Sequence, residues 1–419
     1  MIKDENLNRA LSPTQYILNN LMAGVLIFIL GVRFSVAYFS YFCILSAVYI
    51  IFCWYCFNRQ SGSNKYFFPG INDRALVIVS AGLLLFYSCL FVANALSLKS
   101  LDFKIILGFF TYAVPLYVFY FLSQKNRVHW GVLAGLSLII LVNAVYGIFQ
   151  LSGWAVDSLK DVHRMQGFFK HANSFGMVLT WCIPFLIYFF YKLENKKYKY
   201  WAAVILCIGG LCLYCSGSRG AIVSLCTGLI GSLLLYGWFN RKIFSKKIKV
   251  SLMIGCLLIA AGTGLGVHYS MQYDRGLGER VFMWQGSIHM WDEHKLSGVG
   301  VGKWAENYYS ETYHPKDAHE KDMVFPHNMP LYYLSEAGTI GGIGYGTLLL
   351  TMLIAAGNIL KRQKEVTLAV PLMAVCLAFM AEGMVDATIS NKMVSLPYFA
   401  LIGYSLGSLN VRNKRTNFK

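Results

Sequence analysis

The chain has 419 residues, 56% of them apolar and only 14% charged, with a mean hydropathy of +0.50. Apolar runs of about 20 residues recur from one end to the other, which excludes a soluble globular domain and a disordered chain. The net charge of +17 reads as topology and attraction to anionic lipid headgroups, not as nucleic-acid binding.

In chain order the apolar runs predict about twelve transmembrane helices, at 16–32, 34–57, 75–96, 103–122, 129–152, 173–191, 200–216, 220–240, 250–268, 337–360, 367–386 and 393–410. Lipid offers no hydrogen bonds, so each span must satisfy its own backbone, and the expected fold class is an all-α integral membrane protein forming a single polytopic domain over 1–419. The opening "MIKDENLNRALSPTQ" has no small-residue cleavage site, and the first span is expected to remain as an anchor. Well over half of the 37 lysines and arginines fall on alternate connections when the N-terminus is placed inside. Both termini are therefore expected to be cytoplasmic. The eleven cysteines lie almost entirely within apolar runs, and the pairs Cys53/Cys56 and Cys212/Cys215 read as packing residues.

One long polar connection, 269–326, is expected on the extracytoplasmic face as a lid or acceptor-docking loop. Within it "ERVFMWQGSIHMWDEH" places Val281, Trp284, Ile288 and Trp291 at helical spacing, predicting a short amphipathic helix whose apolar face lies against the bundle. "HMWDEH" and "HPKDAHEKD" mix histidines with carboxylates but lack metal-site spacing, and both read as solvated loop. "GVGVGK" lacks the frame of a nucleotide phosphate loop. No cofactor and no metal are expected.

The informative polar residues gather on the same side. Arg219, flanked by glycines in "SGSRGA", suits bidentate binding of a phosphate that the glycines admit close to the backbone. Arg280, read as lying at the start of the loop helix, offers a second positive charge beside helix-terminal N–H groups. Arg164 is a third such candidate. His327, in "FPHN", is the candidate acid or base, because unperturbed imidazole titrates near neutrality. Asn328 beside it offers an amide to orient the substrate or the ring, and Glu336 follows within the next helix. Glu382 and Asp386, four residues apart near a span end, are candidates either for direct chemistry or for pairing with a site arginine.

Taken in order, "RMQGFFKHAN", "SGSRGA", "RVFMWQGSIHMWDEHKLSGVGVGKW" and "HNMPLYYLSEAGTIGG" resemble the O-antigen ligase and polymerase superfamily, over about residues 163–390. Lys295 stands where proline is common in that family. The resemblance implies a GT-C-type transferase in the bacterial inner membrane, working on its periplasmic face without metal. It implies transfer of a glycan from an undecaprenyl-diphosphate carrier to an acceptor hydroxyl: the lipid A-core for a ligase, another lipid-linked unit for an O-antigen or capsule polymerase. Carried over by motif, Arg219 and Arg280 would hold the diphosphate and His327 would deprotonate the hydroxyl. Arg164, Asn173, Asn328 and Glu336 would line the substrate. A ligase is the expectation. A lipid-glycan transporter is the non-enzyme alternative, although transporters place charged sites near midplane between paired broken helices.

Overall fold

The computed structural model describes residues 13–32, 37–61, 73–125, 128–154, 164–240, 250, 275–319, 322–363 and 367–416. Among these described residues there are thirteen helices and no strand. They are α1 Pro13–Gly31, α2 Tyr38–Ser61, α3 Arg74–Leu98, α4 Phe103–Lys125, α5 His129–Leu151, α6 Ala172–Lys192, α7 Lys196–Ser216, α8 Arg219–Phe239, α9 Arg275–Glu293, α10 Trp304–Tyr308, α11 Met329–Arg362, α12 Ala369–Gly383 and α13 Lys392–Thr416. Eight are long and apolar enough to cross a membrane, and α12 is a shorter apolar helix. The expected all-α membrane architecture is what the chain adopts. The predicted ninth span, 250–268, falls almost wholly outside the described residues.

The bundle exposes large apolar side chains, among them Leu21, Leu107, Leu211 and Leu350. Water would penalise such a surface, whereas lipid tails accept it. Inside, small residues let backbones approach. Gly403 and Gly407 of α13 lie against α4 so closely that a methyl group on them would come within 2.0 Å of the Leu116 carbonyl oxygen and 2.3 Å of that of Tyr120. This G-x-x-x-G spacing is the packing device of helices that cannot gain from hydrophobic collapse.

α11 is broken at Gly338, which has φ 61° and ψ −159°. The break interrupts helical pairing between the carbonyls of Ser335 and Glu336 and the amides of Thr339 and Ile340. Backbone polar groups left unpaired away from water are costly. The segment after α9 answers all four. Val299 and Gly300 N–H donate to Ser335 and Glu336 O, each at 2.9 Å, while Thr339 and Ile340 N–H donate to Lys295 and Leu296 O at 2.8 and 3.3 Å. Lys295 thus acts through its carbonyl. Glu336, buried, accepts the Trp304 N–H at 3.1 Å, and Asn94 of α3 accepts that of Val301 at 3.0 Å. The glycine run of the loop is therefore an insert that seals a broken helix.

α9 exists as predicted, but begins at Arg275 and buries a different face. Met283, Gly286, Ser287 and Met290 face inward, Met283 and Met290 packing with Trp304, Tyr308 and Tyr313 in a small separate core. Ile288 is exposed. The expected tryptophan face works through its N–H groups: Trp284 donates to Pro326 O at 2.9 Å, and Trp291 to Thr339 Oγ1 at 3.3 Å. The start of "HMWDEH" is the helix's last turn and not loop, with His289 and Glu293 3.4 Å apart.

Gly338 tests this arrangement, since a methyl on it would come within 2.3 Å of the Leu296 carbonyl oxygen at a positive φ. Gly338→Ala should lower stability by more than about 2 kcal/mol. Gly346→Ala, where nothing lies within 4 Å, should leave it unchanged or slightly raised. Thermal unfolding of the detergent-extracted chain reads both; equal melting of the two variants would contradict the sealing role.

Candidate active site

His327 stands immediately before the N-cap of α11 with φ 50°. A non-glycine residue enters that left-handed region at a cost and stays there only when its surroundings hold it. They do so on both sides. The Pro326 carbonyl ahead of it is tied to Trp284. Behind it Asn328 caps α11, accepting the Leu331 N–H at 3.0 Å, and its Nδ2 donates to Met384 O at 3.0 Å. The Phe325 ring lies 4.6 Å from the imidazole, centre to centre.

Imidazole Nδ1 lies 3.2 Å from Asp386 Oδ1. That carboxylate is buried in the connection between α12 and α13, where it also accepts the Ala387 N–H at 2.7 Å and Asn173 Nδ2 at 2.8 Å. Burial pushes its carboxyl upward. The hydrogen bond and charge of His327, the charge of Arg280 and the Ala387 N–H outweigh this and hold it below its usual 3.8. An ionised carboxylate only accepts, so in neutral His327 the proton sits on Nδ1 and Nε2 keeps its lone pair.

Arg280 Nη1 donates to Val385 O at 2.9 Å, one residue from Asp386. Arg219 is the exposed first residue of α8. The turn before it follows from its sequence: Gly217, at φ 60°, ends α7 in the left-handed conformation, and Ser218 Oγ caps α8 by accepting the Ala221 N–H at 3.4 Å. Gly220 abuts the same stretch as Arg280, since a methyl on it would come within 3.1 Å of both Glu382 Oε1 and Val385 Cγ2. The segments bearing Arg219, Arg280 and His327 all meet on Glu382–Asp386.

Several expectations change in detail. Arg280 is the sixth residue of α9, so the first amides of that helix lie a turn and more away from it. The glycines beside Arg219 are explained by packing against protein: Gly220 by Glu382, and Gly217 by Arg164, whose Nε would lie 3.1 Å from an added methyl. Arg164 donates from Nε to Ser216 O at 2.8 Å and from Nη2 to Asn173 Oδ1 at 2.6 Å. Arg164 and Asn173 thus stand behind Asp386. Both polar ends of the Asn328 amide are engaged in its cap and its tie to Met384, and Glu336 serves the sealing loop. Asp386, expected either for direct chemistry or to pair with a site arginine, lies near the Arg280 charge but pairs with His327 and Asn173, a pairing that the sequence does not signal.

Residues 201–346 match the family model described as O-antigen ligase. Over that stretch the chain is similar to O-antigen ligases. The resemblance read from the motifs is borne out over this segment, which contains Arg219, Arg280 and His327 of the site, while Arg164, Asn173 and Asp386 lie outside it. A search of curated proteins finds no match. The matched segment thus contains the two arginines and the histidine, and the segments on either side of it contain the polar groups behind them.

The lowered carboxyl gives a stability test. A depressed folded value stabilises above the ordinary 3.8, and that contribution is lost as pH falls through the lower folded value. Asp386→Asn should therefore be less stable than wild type at neutral pH, with the gap closing below about pH 4. Melting temperatures across that range read it; a gap constant with pH would contradict the assignment.

Proposed function

We propose that the protein is an O-antigen ligase of lipopolysaccharide biosynthesis, transferring a glycan from an undecaprenyl-diphosphate-linked donor to a sugar hydroxyl of the lipid A-core. The observation supporting this most directly is the His327–Asp386 pair, beside which Arg280 is anchored, in a chain similar over residues 201–346 to O-antigen ligases.

The chemistry follows from what these groups can do. His327 Nε2 accepts the proton of the acceptor hydroxyl, whose oxygen forms the new bond to the anomeric carbon. The bond from that carbon to the diphosphate oxygen breaks, and its electron pair leaves with the diphosphate. Arg219 and Arg280 meet the growing negative charge, and their forked N–H groups match phosphate oxygens better than a lysine does. Asp386 stabilises the imidazolium formed. A diphosphate already leaves well, so positioned positive charge and a modest base suffice, and the reading invokes no metal.

In this reading the chain is a GT-C-type transferase of the bacterial inner membrane, with both termini cytoplasmic and the site on the periplasmic face, reached by a lipid-borne donor through the bilayer. The signature region 163–390 and the loop 269–326 then belong to one polytopic domain.

Purified protein given a lipid-linked glycan and a lipid A-core acceptor should yield glycan on the core. Elongation of the carrier-linked chain alone would replace the ligase reading by a polymerase. His327→Gly is the sharper variant, because glycine accepts φ 50° without strain, so its loss of activity is not a backbone effect. It should cut transfer by about 10²–10⁴-fold. Arg219→Lys and Arg280→Lys should each lower kcat/KM by about tenfold or more; full activity of the glycine variant would remove His327 as the base.

A further inference from the structure

We propose that Asn173 is a positioning residue for the base: with Arg164 it completes a hydrogen-bonded relay that holds Asp386, and through it the His327 ring, in register with the turn carrying Arg219. The inference rests on the transferase reading above.

The relay runs His327 Nδ1 to Asp386 Oδ1 at 3.2 Å, Asn173 Nδ2 to Asp386 Oδ2 at 2.8 Å, Arg164 Nη2 to Asn173 Oδ1 at 2.6 Å and Arg164 Nε to Ser216 O at 2.8 Å. Its polarity admits one arrangement. A guanidinium only donates and an ionised carboxylate only accepts, so the group between them must accept on one side and donate on the other. A primary amide does both within one rigid plane. Asparagine is therefore the residue this position requires, and aspartate of the same shape is not.

The two ends of the relay are fixed points. Ser216 is the last residue of α7, three before Arg219, and Arg164 packs over Gly217 where a side chain would collide. At the other end Asp386 is buried and its Oδ1 is shared between His327 and the Ala387 N–H. Asn173 ties the other oxygen, Oδ2, to the start of α6. Without that donor a buried carboxylate oxygen loses a hydrogen bond, and the carboxylate is freer to turn or take a proton. The charged and titratable groups facing the pair are Arg280 from α9, Glu382 from α12 and Arg164 behind Asn173, and the turn bearing Arg219 adjoins Glu382 through Gly220.

The full-length chain is assayed for transfer as Asn173→Asp, Asp386→Asn and the swapped double variant, across pH. Asn173→Asp sets a second carboxylate against Asp386. It should lower kcat about tenfold or more, change KM for the lipid-linked donor less than about threefold, and move the acid limb of the kcat profile to higher pH, because added negative charge favours imidazolium. Asp386→Asn should lower kcat comparably and move that limb to lower pH. The double variant keeps one carboxylate and one amide, with the new amide donating to the new carboxylate, and should be faster than the slower single variant without reaching the wild-type rate, since the carboxylate no longer stands beside the imidazole. Wild-type rate and acid limb in Asn173→Asp would overturn the proposal, as would a double variant no faster than the slower single one, including where a single variant fails to fold. Activity retained in His327→Gly would instead remove His327 as the base, and a wild-type chain that transfers no glycan would sink the transferase reading beneath it.

Discussion

One buried carboxylate organises this end of the molecule. Asp386 accepts from His327, Asn173 and the backbone of Ala387, which arrive from the start of α11, from α6 and from its own loop. A charge taken out of water is tolerated only when its lone pairs are answered and an opposite charge stands near. Both conditions are met, by the adjacent Ala387 N–H and by His327 and Asn173 from far along the chain, with Arg280 supplying positive charge. The pairing explains why the loop between α12 and α13 is buried through Asp386, Ala387, Thr388 and Ile389. It also provides a fixed partner for an imidazole whose backbone is strained.

That strain needs a rigid frame, and the broken helix provides one. The first part of α11, from Met329 to the break at Gly338, is sealed along its carbonyls by Val299 and Gly300. α9 is tied to the same region through Trp284 at Pro326 and Trp291 at Thr339. Irregular backbone within a membrane protein persists where protein covers it. Here the covering segment is the glycine run, whose lack of side chains lets it lie against Glu336 and Ala337: a methyl on Gly298 would come within 2.5 Å of their backbone atoms. The seal and the loop bearing His327 are thus one construction, since the chain that closes the helix break also carries Arg280 upstream and His327 downstream.

Much of the fold is legible because lipid makes strong demands on sequence. Apolar runs mark α1 to α8, α12 and α13 closely, and the "SGSRG" turn shows its left-handed glycine and its serine cap in plain order. The predicted span at 337 coincided with the break at Gly338, because hydropathy sees the lipid-exposed half of α11 and not the half sealed by the loop. Contacts formed across long separations leave no local mark. Asn173 and Asp386 are 213 residues apart, and nothing near either announces the other. The buried face of α9 differs from the expected one for a related reason: spacing identifies which residues share a side, but Met283 and Met290 take the buried side against the Trp304 and Tyr308 rings, supplied by the next segment.

Glycine shows the same limit in a sharper form. Beside Arg219 the residue type suggests room for a ligand, yet Gly217 makes room for Arg164 and Gly220 for Glu382 and Val385. In the proposed transferase reading, an anion at this turn is met by its guanidinium and helix start rather than by bare backbone. The same reasoning favours arginine at position 280. One of its nitrogens is held by the Val385 carbonyl, and a planar fork with five N–H groups keeps donors to spare after that anchor is made. A lysine ammonium satisfying the same carbonyl has fewer donors and no fixed plane, so it would lose either the tether or the aim. An anchored guanidinium is a charge whose position is set before a ligand arrives, which is the condition under which electrostatic stabilisation requires little reorganisation.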